Sequence, residues 1–155
     1  MVCIEIKTHD KRVYEALLDY VKDVCDSLHL VVRDDLDKSP SVEAFIEKAR
    51  PHLIQEKRQN QWPGTSLCGN HTARVLYYRL TDTLINEISS QATSFFDWLH
   101  PALPEDLTFY KGEREVLITT AHEKELYILI QNPDEITGLL DHCQAQYQVH
   151  PINLK

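Results

Sequence analysis

A chain of 155 residues, 43% hydrophobic and 26% charged, has the length and apolar content of one soluble domain spanning 1–155. The formal net charge of −8 repels phosphate backbones and disfavours a nucleic-acid partner. No apolar segment approaches the roughly 20 residues of a membrane helix, and no apolar run follows a basic start as in a secretory signal; the expected location is the cytoplasm, with no membrane partner.

Val2, Ile4 and Ile6 alternate with Cys3 and Glu5 and predict a short strand. Thr8 to Asp10 offers capping side chains. Val13, Leu17, Tyr20, Val21, Val24 and Leu28 then form one apolar stripe, which predicts a helix over about 10–28. Val31-Val32-Arg33 reads either as its extension or as a short extended link. Asp34 to Pro40 is a polar loop. Ser41 is expected to cap a second helix with Val42, Phe45, Ile46 and Ala49 inward, ended or kinked by Pro51. Gln55–Asn60 reads as an exposed helical tail or loop.

Trp62-Pro63-Gly64-Thr65 is a turn signal. Residues 72–80 are β-branched and aromatic, with bulky apolar side chains at both parities, which predicts an interior strand covered on both faces. Thr81 or Asp82 caps a third helix carrying Leu84, Ile88, Phe95 and Leu99, stopped near His100 by Pro101 and Pro104. Leu107–Tyr110, Glu115–Ala121 and Glu125–Ile130 are short strands joined by turns at Lys111-Gly112-Glu113 and His122-Glu123-Lys124. They predict an antiparallel meander. Asn132-Pro133-Asp134 opens a last helix with Ile136, Leu139, Leu140 and Cys143 inward, and Tyr147–Ile152 reads as an edge strand because of Pro151. The expected fold is α+β, a mostly antiparallel sheet of about four to six strands with helices mainly on one face.

The chemistry on offer is sparse. Cys68 and His71 have the spacing of half a zinc site, but a second compact pair is missing, so the expected metal and cofactor content is none. Four scattered cysteines in a reducing compartment are read as free thiols. Nothing around Cys68 resembles an activated nucleophile. There is no phosphate-binding glycine loop, no dinucleotide fingerprint, no G-x-S-x-G and no H-E-x-x-H. Glu105-Asp106 and His122-Glu123 are the candidate polar groups, read either as an acid–base set or as turn and surface residues. Trp98 lies off the helical stripe and either closes over the proline connector or projects as an interface anchor.

The Trp62-Pro63-Gly64 turn, the run Trp98-Leu99-His100-Pro101-Ala102-Leu103-Pro104-Glu105-Asp106-Leu107-Thr108-Phe109-Tyr110 and the later His122-Glu123 together resemble a family of small bacterial proteins that carries no assigned activity; the likeness spans residues 60–130. Size and acidity are similar to those of immunity proteins, which bind and neutralise toxins. Residues 1–60 carry a net −2 and residues 61–155 a net −6, so the half with these motifs is the acidic one. The leading expectation is a non-enzymatic cytoplasmic protein that binds a protein partner, basic in character and toxin-like, through Trp98, Glu105, Asp106, His122 and Glu123. The alternative is a small enzyme or small-molecule binder with a pocket near His122, Glu123 and Asp106. A homodimer stays open on this sequence.

Overall fold

A computed structural model describes residues 1–152. The fold is α+β. Strand β1 (Val2–Ile6) is followed by helix α1 (Lys11–Val24), β2 (Ser27–Arg33), α2 (Pro40–Ala49), β3 (Leu53–Gln59) and a two-stranded hairpin, β4 (Gln61–Trp62) and β5 (Thr65–Ser66). Then come β6 (Ala73–Arg79), α3 (Asp82–Gln91), β7 (Glu105–Lys111), β8 (Arg114–Thr120), β9 (Glu125–Ile130), α4 (Asp134–His142) and β10 (Tyr147–Pro151). Eight strands form one sheet in the order β10-β1-β9-β8-β7-β2-β6-β3, with every pairing antiparallel. The expected meander β7-β8-β9 sits at its centre. The sheet is larger than the four to six strands expected.

The extra strands come from segments whose sequence resembles something else. Leu28 continues the helical stripe of Val21 and Val24, yet α1 ends at Cys25, which is extended. Leu28, Leu30 and Val32 alternate instead as one face of β2, and both faces of that strand are buried. Gln55–Asn60 belongs largely to β3, the edge strand beyond β6. An edge strand exposed on both faces carries charges at either parity and has no periodicity to read. The helix expected to run to His100 stops at Gln91, because Asp97 Oδ2 accepts from the amides of Thr93 and Ser94, both at 3.0 Å. Those bonds close a capping box on a single 3₁₀ turn, Phe95–Asp97. At α2 the residue before the first turn is Ser39 rather than Ser41, and Pro40 takes the first helical position.

All four helices pack on one face of the sheet. Their buried residues (Val13, Leu17, Val21, Phe45, Ile46, Leu84, Ile88, Ile136, Leu140) join Ile4, Ile128, Leu117, Phe109, Leu28 and Leu76 in the main core. Trp98 lies within it. Its side chain is fully buried and edge-on to Phe45, with centroids 5.0 Å apart. Its indole Nε1 donates to the Tyr14 hydroxyl at 3.0 Å, and that hydroxyl donates to Ile88 O at 2.6 Å. Trp98 therefore closes inward. The expectation that it anchors a partner is corrected, since it has no surface to offer.

The opposite face of the sheet carries a second, smaller cluster, Val31, Trp62, Ala73 and Val75, with Leu67 and Tyr77 against it. The β4–β5 hairpin supplies Trp62 to this cluster and thereby covers the second face of β6. Further along the same face His29 is fully buried, with Nδ1 2.7 Å from the Tyr110 hydroxyl and no partner at Nε2. Burial pushes its pKa down to about 3. The unfolded chain then binds a proton below pH 6.5 that the native state refuses, so folding stability falls as pH drops from 6.5 toward 3. Replacing His29 with Phe is expected to flatten the stability profile between pH 6.5 and about 5, above the carboxylate range, with a slope change of at most about 1.4 kcal/mol per pH unit. Denaturant titrations across that window check it, and an unchanged slope rules the assignment out.

All four cysteines are free. Among the described residues no helix is long and apolar enough to cross a membrane.

Candidate functional site

Three stretches singled out by the sequence meet at one place: the Trp-Pro-Gly-Thr turn, the Pro-Glu-Asp connector and the Ala-His-Glu turn. The cause is a bulge in β7. Residues 29 and 31 of β2 face 108 and 105 of β7, so β7 holds one extra residue in this interval. Asp106 absorbs it with φ +56°, the left-handed region that Asp tolerates better than most residues. In a regular strand Glu105 and Asp106 point to opposite faces. Here both carboxylates reach toward the turns that lie over the face away from the helices.

Asp106 is 2% exposed and acts as a clamp. Its Oδ2 accepts from Trp62 Nε1 at 2.8 Å and Thr65 Oγ1 at 3.3 Å, and its Oδ1 accepts from the Ala121 amide at 3.0 Å. It ties the hairpin and the β8–β9 connection to β7. Glu105 is fully buried, and its Oε1 accepts from the His100 amide and from His122 Nε2, each at 3.1 Å. Its second oxygen has no protein partner. His100, preceding a cis proline, has its Nδ1 2.8 Å from Leu103 O and its Nε2 2.9 Å from the Arg33 amide. Those partners assign a neutral ring with the proton on Nδ1. Burial, which lowers the His100 pKa, favours the same neutral form.

The turn fits against β8 without spare room. Gly64 has φ +86°, and a Cβ built there meets Thr120 Oγ1 at 2.1 Å. Gly64→Ala is expected to destabilise the fold by about 1–2 kcal/mol through the backbone alone, with the contact adding to it. Thr120→Ala in the same chain should recover only part of the loss, because it removes the hydroxyl but not the positive φ. Thermal melts of the double-mutant cycle measure the coupling, and additive losses show that the turn is not seated on Thr120.

Beside the clamp is a cleft of about 200 Å³ lined by Arg33, Gly64, Thr65, Ser66, Asp106, Thr120, His122 and Glu123. The expected set of His122, Glu123 and Asp106 therefore shares one cleft. The groups are already engaged, however: Arg33 pairs with Asp35 at 2.7 Å, His122 with Glu105, and Asp106 with three donors. Glu123 is exposed. Of the five residues expected at a partner surface, only His122 and Glu123 present appreciable area; Trp98, Glu105 and Asp106 are interior and are corrected to structural positions.

Among the described residues no group of three or more His, Cys, Asp or Glu side chains is placed to hold a metal ion. The sequence reading missed Ile54, Tyr77 and Tyr110, which line a larger hollow on the far side of the hairpin. The signal that could have found Ile54 was a Leu53-Ile54 pair at the head of the polar run Gln55–Asn60. No family model, no curated protein and no solved structure matches this chain.

Proposed function

We propose that this chain is a non-enzymatic binding protein whose partner is a basic protein, in the manner of an immunity protein that neutralises a toxin. One observation carries the reading. Glu105 and Asp106 are the only buried carboxylates among the described residues, so nearly all of the acidic excess behind the net charge of −8 faces solvent. Both carboxylates accept hydrogen bonds that hold three turns together. A solvent-facing negative field steers a basic partner and accelerates encounter at low salt.

Affinity capture at low salt from the source cell is the test. The expected result is one stoichiometric partner of basic isoelectric point that rebinds when purified, dissociates as salt rises, and is toxic to cells unless this chain is co-expressed. Recovery of abundant housekeeping proteins alone contradicts the proposal.

A second reading, a small-molecule binder or small enzyme, is favoured by the convergence of His122, Glu123 and Asp106 on one cleft with Arg33 and Thr65. Thermal shift against small carboxylates and amines at millimolar concentration tests it. A stabilisation lost in His122→Ala supports this reading, and the absence of any shift removes it.

A further inference from the structure

On the face of the sheet away from the helices, the hairpin leaves a hollow of about 430 Å³. Its walls come from β3, from Pro63 at the hairpin tip and from the β7–β8 turn. The rings of Tyr77 and Tyr110 line it, with centroids 6.4 Å apart, and both pack against the buried His29. Glu113 and Glu115 stand on the side of the turn. Burial raises the pKa of the Tyr110 hydroxyl, and the nearby Tyr77 and Glu115 add to the effect.

A second bulge supplies the apolar wall. Leu53 faces Tyr78 and Gln55 faces Tyr77, so Ile54 is the unpaired residue of β3. A bulge re-aims a side chain that the regular pleat would place elsewhere. Ile54 lines the hollow at 56% exposure, the most exposed large hydrophobic residue in the described chain. An exposed isoleucine beside two tyrosines has the composition of an interface centre rather than of a solvated edge.

Cation chemistry is already visible there. The ammonium of Lys57, also in the lining, lies 5.9 Å from the centroid of the Tyr77 ring. The chain's own cation occupies the ring, held by no carboxylate among the ion pairs of the described residues.

We infer that this hollow receives an arginine of the partner protein, with an apolar neighbour of that arginine resting on Ile54 and Pro63. The inference rests on the proposed basic partner and gives its contact a place. A guanidinium is planar and stacks on a tyrosine ring better than an ammonium does, and it donates in a fork to carboxylates. The incoming arginine displaces Lys57 from Tyr77 and takes Glu113 and Glu115 as counter-charges. The cleft beside Asp106 differs, because its Arg33, Asp106 and His122 are paired within the chain and only Glu123 is left exposed there.

The experiment is a nuclear magnetic resonance titration of the full chain with acetyl-Ile-Arg-Ile-amide and with the same peptide carrying citrulline, which keeps the shape and removes the charge. Expected are shifts centred on Ile54, Tyr77 and Tyr110, with binding about tenfold weaker for the citrulline peptide, the loss of one charge-assisted contact. Lys57→Ala should tighten arginine-peptide binding severalfold by removing the competing cation. Ile54→Ser and Glu115→Gln, both outside the buried core, should weaken it. Equal affinity for the two peptides, shifts spread over the acidic surface, or weaker binding in Lys57→Ala would each overturn the inference. The two proposals fail separately. A captured basic partner that Ile54→Ser binds as well as the parent chain places the contact elsewhere and leaves the functional reading standing. A positive titration with no basic partner in the cell removes that reading and keeps the groove.

Discussion

Asp106→Ala is expected to destabilise the protein by about 3–5 kcal/mol, because it strands a buried indole N–H and a buried backbone amide that now donate to a carboxylate. Alanine also fits poorly at φ +56°. For a chain of this length the melting temperature should fall by roughly 10 °C. The series Asn, Gly and Ala separates the causes. Asn tolerates the positive φ and keeps one carbonyl acceptor, so it should lose least. Gly relieves the backbone but satisfies neither donor, and Ala loses on both counts. If Gly proves as stable as the parent, the three hydrogen bonds contribute nothing net and the clamp is not what holds the hairpin. Trp62 fluorescence reports the same event locally: its indole should become solvated in Asp106→Ala before the main core unfolds.

Trp98→Ala should cost a similar amount, about 3–5 kcal/mol, from the cavity left by a fully buried indole among Phe45, Tyr14 and their neighbours. Trp98→Phe keeps much of the volume and removes only the bond to Tyr14, so its loss should be nearer 1–2 kcal/mol. Equilibrium denaturation measures both. The partner affinity of Trp98→Phe should be unchanged, since the side chain reaches no surface. A weakened complex with normal stability would restore the interface role that the sequence suggested.

Much of the fold legible in the sequence has one face buried and the other wetter: β1, β9 and the inward faces of α2 and α4 follow from local alternation or from helical stripes. β6 is legible for another reason, the bulky β-branched and aromatic residues it carries at both parities. The illegible parts have a physical cause in each case. β2 is buried on both faces, and its first leucine falls in phase with the preceding helix. β3 is wet on both faces. The third helix was over-extended because Phe95 and Leu99 keep its phase, while the bonds that end it run from Thr93 and Ser94 to a single aspartate.

The candidate site was legible as a set of unusual residues but not as an arrangement. Asp106 looked like a surface carboxylate because its partners are 15, 41 and 44 residues away in sequence. Its conformation depends on a register shift that only pairing with β2 defines. The same is true of Ile54, which faces the hollow through a bulge against β6. In both places an extra residue in one strand decides which face a side chain serves, and strand alternation read from sequence alone assumes that no such residue exists.

Amide hydrogen exchange of the chain with and without the proposed basic partner tests the account most directly. Added protection is predicted in β3 at 53–59 and around the β7–β8 turn at 110–115, with little change at 98–106, where the clamp is already closed. Protection concentrated instead at 62–66 and 120–123 would place the partner in the cleft beside His122 and contradict it.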